Sequence, residues 1–212
     1  MDVSITPHDL FGTVEAISSK SYAHRALICA SLANGTTNIT CPYPSEDIQV
    51  TVDCLKALGT TIARTKQGFR VVPAKEANRP QNVQLNCKES GTTLRFILPL
   101  LGALNISATI SAEGRLFSRP LKPLISELSS HGMSFTWLDE KFLEVSGQLN
   151  GGSFELPGDI SSQFISGLLL SLPLLSEPST IQITEPIQSK DYLAITEHVI
   201  NGFGVIVSFD AK

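Results

Sequence analysis

Three apolar segments recur along the chain at a nearly constant spacing, and each follows a short polar motif that is typical of a helix start. The segments cover residues 26–33, 96–104 and 164–175. When the motifs that begin at Ser21, Gly91 and Ser162 are aligned, Arg25, Arg95 and Ser166 coincide, with separations of 70 and 71 residues. A near-constant period of this kind indicates one supersecondary unit that is used three times.

The same succession of patterns follows each apolar segment. A β-branched run predicts a strand at residues 36–40, 106–111 and 180–184. An amphipathic helix comes next, predicted by three apolar stripes at helical spacing: Ile48, Val52, Leu55 and Leu58; Leu121, Leu124, Ile125 and Leu128; and Tyr192, Ile195, Val199 and Phe203. A glycine then ends each helix as a C-terminal cap, and a further strand follows at residues 60–64, 133–137 and 205–209, with another at 68–72 and 141–145 in the first two copies.

These patterns predict an α/β (α+β) fold: a lobe of three repeated β-α-β-α-β-β units around buried helices. The repeats span about residues 19–86, 87–155 and 156–212, and residues 1–18 form a separate N-terminal segment. The third unit is one strand short, which leaves the strand at 205–209 without its hairpin partner. Because an unpaired sheet edge is a liability, we expect the chain to be a piece of a longer protein.

Basic and hydroxyl side chains collect at the predicted helix starts. Free backbone N–H groups and the helix dipole make a helix N-terminus a ready site for anions. If the three units pack around a common axis, their helix starts converge, and Lys20, Arg25 and Arg95 converge with them. The pattern therefore predicts a site for phosphates or carboxylates.

Composition narrows the classes of function. The net charge of −4 argues against a nucleic-acid partner. The longest apolar stretch, residues 164–175, is shorter than the ~20 residues of a membrane span, and the N-terminus does not look like a secretory signal, so we expect a cytoplasmic protein. Four cysteines without a CxxC pair predict neither a metal site nor a cofactor.

Five motifs, in this order, resemble those of the 5-enolpyruvylshikimate-3-phosphate (EPSP) synthase family. They are Lys20-Ser21 with Arg25, Ser90-Gly91-Thr92-Thr93-Leu94-Arg95, Arg119-Pro120, Ser161-Ser162-Gln163-Phe164, and Ser189-Lys190-Asp191-Tyr192. The resemblance implies half of a two-lobed transferase, a monomer at full length, that moves the enolpyruvyl group of phosphoenolpyruvate to the 5-hydroxyl of shikimate-3-phosphate. It covers only the N-terminal lobe, so the second lobe is absent from this chain and is its implied partner. In the family, the segment before residue 19 belongs to that other lobe.

The resemblance also implies a role for each matched residue. Lys20 is the expected catalytic residue and contacts phosphoenolpyruvate, together with Gly91, Arg119 and Gln163. Thr92 and Arg95 are expected to structure the site. Shikimate-3-phosphate is expected to contact Ser21, Arg25, Ser161, Ser162, Gln163, Ser189 and Tyr192.

Several interpretations stay open at this point. The sister enzyme that acts on a UDP-sugar shares the fold, but it has Lys-Asn at the first helix and a cysteine before its Arg-Pro, whereas residues 114–118 here lack cysteine. A non-catalytic single lobe that binds shikimate-3-phosphate is a second alternative. Gly91 could serve only to allow a positive φ, and Glu89 replaces an asparagine that many members carry. His24 is interpreted as a packed or capping residue and Trp137 as core.

Overall fold

The computed structural model describes residues 2–9 and 11–207, and this part of the chain folds into helices and short sheets of mixed α/β class, as predicted. The helices are α1 (Lys20–Leu32), α2 (Glu46–Ala57), α3 (Gly91–Leu104), α4 (Lys122–Ser130), α5 (Ser162–Ser171) and α6 (Lys190–Gly202). The strands are β1 (Thr37–Thr40), β2 (Thr61–Arg64), β3 (Gly68–Val72), β4 (Asn82–Asn86), β5 (Ser107–Ser111), β6 (Ser134–Trp137), β7 (Phe142–Ser146), β8 (Gly152–Pro157) and β9 (Ser179–Thr184).

Serine side chains start four of the helices. Ser19, Ser45, Ser90 and Ser161 precede α1, α2, α3 and α5, and each hydroxyl accepts a hydrogen bond from a backbone N–H of the first turn. Such caps satisfy donors that have no partner inside the helix. At the other ends, the predicted cap glycines after α2, α4 and α6 all have positive φ, between 84° and 101°. Local sequence signals therefore fix these helix boundaries.

The strands form three separate sheets. The first has the order β1-β3-β2 and is antiparallel, and the second has the order β4-β5-β7-β6, in which β4 and β5 are parallel. The third pairs β8 and β9 in parallel, with Phe154 opposite Ile181. The order β1-β3-β2 of the first sheet recurs in the second sheet as β5-β7-β6. The parallel pair β4-β5 of the second sheet has its counterpart in the pair β8-β9 of the third. How closely the three units superpose stays a prediction.

The core is centred on α1, α3 and α5, whose side chains are buried on most sides, while α2 and α4 cover it with one face each. Helices α3 and α5 approach closely at Gly167, where a Cβ would stand 2.6 Å from the carbonyl oxygen of Arg95. Glycine therefore sets the separation of these two helices.

The structure corrects four details. The buried face of α6 carries Leu193, Thr196, Val199 and Ile200, whereas Tyr192 is exposed, so the predicted stripe is turned by about one residue. Trp137 is 46% exposed and does not belong to the core.

The other two details concern strands at the ends of the chain. No strand precedes α1 within residues 2–9 and 11–19, so the first unit lacks its leading strand there. Of the strand predicted at 205–209, residues 205–207 are not in a strand, and Ser208 and Phe209 lie outside the described residues.

Candidate functional site

Lys20 lies at the start of α1, and its ammonium group is paired. Its Nζ is 2.7 Å from Oδ2 of Asp47 in the first turn of α2. The Lys20 side chain is about half exposed and that of Asp47 about one third. The pair therefore fixes the direction of the lysine while leaving it open to a ligand. Ser21, the next predicted residue, is half-buried beside it.

Arg25 is buried in the interface between α1, α5 and α6. Its Nε donates to Thr196 Oγ1 at 2.6 Å, and its Nη2 donates to Ser166 Oγ at 3.0 Å and to the Tyr192 carbonyl at 3.3 Å. Nη1 donates to the Ser21 carbonyl at 2.9 Å. These bonds use four of the five guanidinium hydrogens and leave one on Nη1.

No carboxylate pairs with Arg25 in the described part of the chain. The guanidinium lies over the ring of Phe96, 5.0 Å from its centroid. Burial lowers the pKa of Arg25 to about 10, so it keeps its charge at neutral pH. A buried charge that is held only by hydroxyl and carbonyl oxygens is suited to an anionic partner.

The starts of α3 and α5 meet through Gln163. Its Oε1 accepts from Arg95 Nη1 at 2.7 Å, and its Nε2 donates to Thr92 Oγ1 at 2.8 Å. Both hydrogen bonds involve residues that the sequence assigned to the site, and they join the second and third repeats there. The role of Thr92 and Arg95 as structuring residues stays a prediction, and these two contacts are the geometry behind it.

Two guanidinium groups flank Gly91. A Cβ on this glycine would stand 2.9 Å from Arg95 Nη1 and 3.2 Å from Arg119 Nη1. Burial first, and the charge of Arg119 second, lower the pKa of Arg95. No ion pair with either arginine occurs among the described residues. Two like charges without a carboxylate beside a helix start make a site of strongly positive potential.

Gly91 is the first residue of α3, and its φ is not positive. The alternative that this glycine serves only to permit a positive φ is therefore wrong. What Gly91 provides is open space between the two guanidinium groups and the backbone.

The remaining predicted residues lie at the starts of α5 and α6. Ser161 caps α5, and Ser162 is buried in its first turn. Ser189 precedes α6 in a left-handed conformation with φ 58°, and its side chain makes no capping hydrogen bond. Tyr192 is 45% exposed. Ser189 and Tyr192 at the start of α6 are therefore exposed, whereas Ser161 and Ser162 at the start of α5 are half-buried and buried.

Glu89 forms no ion pair with Arg95 or Arg119 among the described residues. It is exposed, and its carboxylate lies against Gly114, where an added Cβ would meet it. Lys88, the neighbour that could have paired with it, bonds Glu46 at 2.9 Å instead. The negative charge of Glu89 therefore does not neutralise either guanidinium group through a direct contact.

Sequence reasoning missed Asp47, Thr51 and Thr196. Asp47 holds Lys20, Thr196 holds Arg25, and Thr51 Oγ1 lies 2.6 Å from Nδ1 of buried His24. No local signal marks Thr196, since the apolar stripe predicted for this helix does not include it. The other two depend on how α1 and α2 pack.

An open cavity of about 820 Å³ lies beside the loop that leads to Arg119. It is lined by Phe117, Trp137 and the hairpin turn at residues 139–141, and it contains none of the predicted site residues. The candidate site is thus a surface formed by helix starts and not this cavity. Within the described residues, no group of three or more His, Cys, Asp or Glu is placed to hold a metal ion. No helix there is long and apolar enough to span a bilayer.

Comparison with known proteins gives a consistent family. The model of the family EPSP synthase (3-phosphoshikimate 1-carboxyvinyltransferase) matches residues 5–212. The 3-phosphoshikimate 1-carboxyvinyltransferase of Clostridium kluyveri is 41% identical over 209 residues, which cover 97% of this chain and 48% of that protein. A protein of the same name from Clostridium perfringens is 40% identical over 207 residues, covering 97% and 49%. The chain spans about half the length of the curated relatives it matches.

Solved structures agree on the fold. EPSP synthase from Acinetobacter baumannii matches with a TM-score of 0.77 at 24% identity, covering 94% of this chain and 45% of that one. The enolpyruvyl transferase NikO from Streptomyces tendae matches with a TM-score of 0.61 at 17% identity, covering 95% and 47%. At such identities these likenesses concern the fold alone.

Proposed function

The chain belongs to the EPSP synthase family, and on that premise we propose that it forms the shikimate-3-phosphate-binding lobe of an enolpyruvyl transferase. The reaction joins the 5-hydroxyl oxygen of shikimate-3-phosphate to C2 of phosphoenolpyruvate, while the hydroxyl group gives up its proton to a base and C3 gains a proton. The C2–O bond to phosphate then breaks, and C3 loses a proton. The other half of the enzyme is the proposed partner, and a cytoplasmic monomer is the proposed state of the complete protein.

The observation that carries this proposal is the pair of guanidinium groups at Gly91. Arg95 and Arg119 leave a positive gap beside the start of α3, and Gln163 adds an amide to the same place. Arginine binds phosphate and carboxylate oxygens through two parallel hydrogen bonds. Phosphoenolpyruvate carries both groups, so the gap suits it.

The shikimate-3-phosphate side is proposed to lie at the starts of α1, α5 and α6. The spare Nη1 hydrogen of Arg25 lies where this guanidinium meets the Ser21 carbonyl. The hydroxyls of Ser161, Ser162 and Ser189 are proposed to take phosphate oxygens together with backbone N–H groups. Tyr192 has an exposed ring that can pack on the sugar-like ring of the substrate.

Lys20 is proposed to act in proton transfer at C3 of phosphoenolpyruvate. Its carboxylate partner Asp47 orients the ammonium group, and its exposure lets the substrate reach it. A general acid must lie within hydrogen-bond distance of the atom it protonates, and the second lobe is proposed to bring that atom to Lys20 on closure. Water that closure excludes strengthens every charge interaction in the site.

Ligand titration of the 212-residue chain tests the proposal. We expect shikimate-3-phosphate to bind more tightly than phosphoenolpyruvate, because most of the assigned contacts belong to the former. Arg25→Ala should weaken shikimate-3-phosphate by about 1.5–3 kcal/mol, the scale of a hydrogen bond to a charged group.

Arg64→Ala is the matched control for this titration. Arg64 also lies over a phenylalanine ring and donates to three backbone carbonyls, but it belongs to the first sheet. Equal loss of affinity in both variants, or tighter binding of phosphoenolpyruvate, would contradict the assignment.

Turnover provides a second test. The 212-residue chain alone should convert no phosphoenolpyruvate, since the proposal places the remaining catalytic groups on the other half. Addition of the remaining half of the Clostridium kluyveri relative should restore measurable phosphate release. A turnover number near the ~10 s⁻¹ of ordinary enzymes for the chain alone would refute the division of roles.

A further inference from the structure

A continuous chain of buried hydrogen bonds runs from α1 through α2 to the start of α3. His24 Nδ1 lies 2.6 Å from Thr51 Oγ1, Thr51 Oγ1 lies 2.7 Å from Thr93 Oγ1, and Thr93 Oγ1 lies 2.7 Å from Ser90 Oγ. All four side chains are at most 1% exposed. None of the four has a role in the proposed function, although Ser90 directly precedes Gly91.

The count of unpaired groups favours one direction for this chain. If Thr51 donates to His24 Nδ1, then Thr93 donates to Thr51 and Ser90 donates to Thr93, so every hydroxyl donates once. Ser90 Oγ then accepts from the backbone N–H of Thr93, at 3.3 Å, and the hydrogen on His24 Nε2 is the one group of the chain left unpaired among the described residues. In the opposite direction two groups are left unpaired there, the hydroxyl hydrogen of Ser90 and the lone pair of His24 Nε2.

The favoured direction places the imidazole proton of His24 on Nε2, which is buried and has no hydrogen-bond partner in the described part of the chain. Burial lowers the pKa of His24 to about 4, so the ring is neutral. A neutral ring accepts from Thr51 at all pH values where enzymes of this kind are assayed. Protonation of His24 therefore does not interrupt the chain of hydrogen bonds at neutral pH, and hydrogen bonds are directional, unlike the apolar contacts around them.

We propose that Thr51 is a positioning residue for the phosphoenolpyruvate side of the site, which rests on the function proposed above. Through Thr93 and Ser90 it holds the first turn of α3, and through His24 it ties that turn to α1, which carries Lys20. The N–H of Thr93 is occupied by Ser90, and the N–H groups of Gly91 and Thr92 have no acceptor among the described hydrogen bonds. Thr51 thereby sets the direction in which the N–H groups of Gly91 and Thr92 point.

The structure contains a matching polar cluster on the other side of α1. Thr196 on α6 contacts Arg25 and Ser166, at 2.6 and 2.8 Å, as Thr51 on α2 contacts His24 and Thr93. Thr196 therefore supports the shikimate-3-phosphate side. Each of the two threonines lies on the second helix of its unit. Substitution of Thr51 should therefore weaken the binding of phosphoenolpyruvate, and substitution of Thr196 should weaken the binding of shikimate-3-phosphate.

The experiment titrates the 212-residue chain with phosphoenolpyruvate and, separately, with shikimate-3-phosphate, followed by NMR. Thr51→Val should raise the dissociation constant of phosphoenolpyruvate about tenfold and change that of shikimate-3-phosphate less than about twofold, because it removes both buried hydrogen bonds of the Thr51 hydroxyl, which lie beside only one of the two ligands. Thr196→Val should do the reverse. Thr51→Ser should bind both ligands as the wild type does.

Ser31→Ala is the control variant for effects of packing alone. Ser31 is a buried residue on α1 whose hydroxyl, within the described part of the chain, bonds the Leu27 carbonyl of its own helix alone, at 2.8 Å. It should alter the melting temperature and neither dissociation constant. If Thr51→Val does not fold, Thr93→Val removes the same hydrogen bond from the other side and carries the same expectation.

Three results would overturn the proposal: an unchanged ratio of the two dissociation constants in Thr51→Val, an equal effect of Ser31→Ala, or a Thr51→Ser variant as weak as Thr51→Val. A wild type that binds neither ligand at millimolar concentration overturns the proposed function instead. The amide shift of Gly91 without ligand then decides the positioning role. Thr51→Val must move it more than Ser31→Ala does, and no difference refutes the role.

Discussion

Acidification should destabilise the folded chain through His24. This ring is 1% exposed, and burial lowers its pKa from 6.5 to about 4. Asp47 raises the pKa, while Lys20 and Arg25 lower it, so the nearby charges oppose one another and burial dominates. In the unfolded chain the ring recovers its ordinary pKa and takes up a proton first.

The sign and size follow from these two pKa values. Stability is complete above pH 6.5 and is lost as the pH falls towards 4, because only the unfolded state binds the proton in that window. A difference of 2.5 pKa units, at about 1.36 kcal/mol each, corresponds to about 3 kcal/mol in total, of which about 2.5 kcal/mol is lost by pH 4.5. This is a large share of the 5–15 kcal/mol that typical domains have.

Urea denaturation at pH 7.5, 6.5, 5.5 and 4.5 measures the effect. His24→Asn keeps a side chain that can bond Thr51 and removes the titration, so its stability should fall much less between pH 6.5 and 4.5. His198→Asn, at an exposed histidine, should follow the wild type. A His24→Asn variant that loses as much stability as the wild type over this window would refute the reasoning.

Three further substitutions test the site and the core. Gly91→Ala should lower the melting temperature only slightly, since the methyl group meets the side-chain ends of Arg95 and Arg119 and no backbone atom; in the complete enzyme it should weaken phosphoenolpyruvate, and its longer analogue glyphosate more, with an unchanged inhibition ratio contradicting this. Gly167→Ala should lower stability by about 1–3 kcal/mol, because its methyl group meets backbone at 2.6 Å, and a melting curve checks it. Glu89→Gln should change phosphoenolpyruvate affinity less than about twofold, since the exposed carboxylate is screened by solvent; a larger change in the titration would place its charge in the site.

The helix boundaries and helix starts were predictable because their signals are local. A serine before each of four helices and a positive-φ glycine after three of them can be read from a few neighbouring residues. The face of α6 was not predictable. Thr196 lies in the core only because Arg25, 171 residues away, supplies its partner, and an isolated threonine gives no sign of this.

Trp137 is the reverse case, a residue that was predicted to be buried and is exposed in the structure. Its size and its place on a strand predicted burial, but β6 is the edge strand of the second sheet, beyond β7. The ring meets Phe117 edge-on at 4.9 Å and is otherwise open. The order of strands within a sheet is a long-range property, so sequence alone could not place this side chain.

The sequence marks the residues proposed to face the ligands but not the residues that support them. Lys20, Arg25, Gly91 and Gln163 lie in motifs at helix starts that resemble those of the family, and their ligand contacts stay predictions. Asp47 and Thr51 each lie 27 residues from the α1 residue that they contact. These contacts depend on how α2 is rotated about its axis and how far it is shifted along α1. Apolar stripes do not determine that shift to better than about one helical turn.

Directional contacts near the helix starts resolve that ambiguity. Every interface among the three central helices carries one polar cluster close to its start: His24, Thr51 and Thr93; Arg95, Gln163 and Thr92; and Arg25, Ser166 and Thr196. Apolar packing tolerates small slides of one helix along another, whereas a buried hydrogen bond is lost within a few tenths of an ångström. A lobe that presents several N-termini to two small anions, as we propose for this chain, needs this precision at its binding surface more than in its core. Most of the buried polar side chains among the described residues lie close to the helix starts, with Ser31, Thr60 and Ser171 as the exceptions.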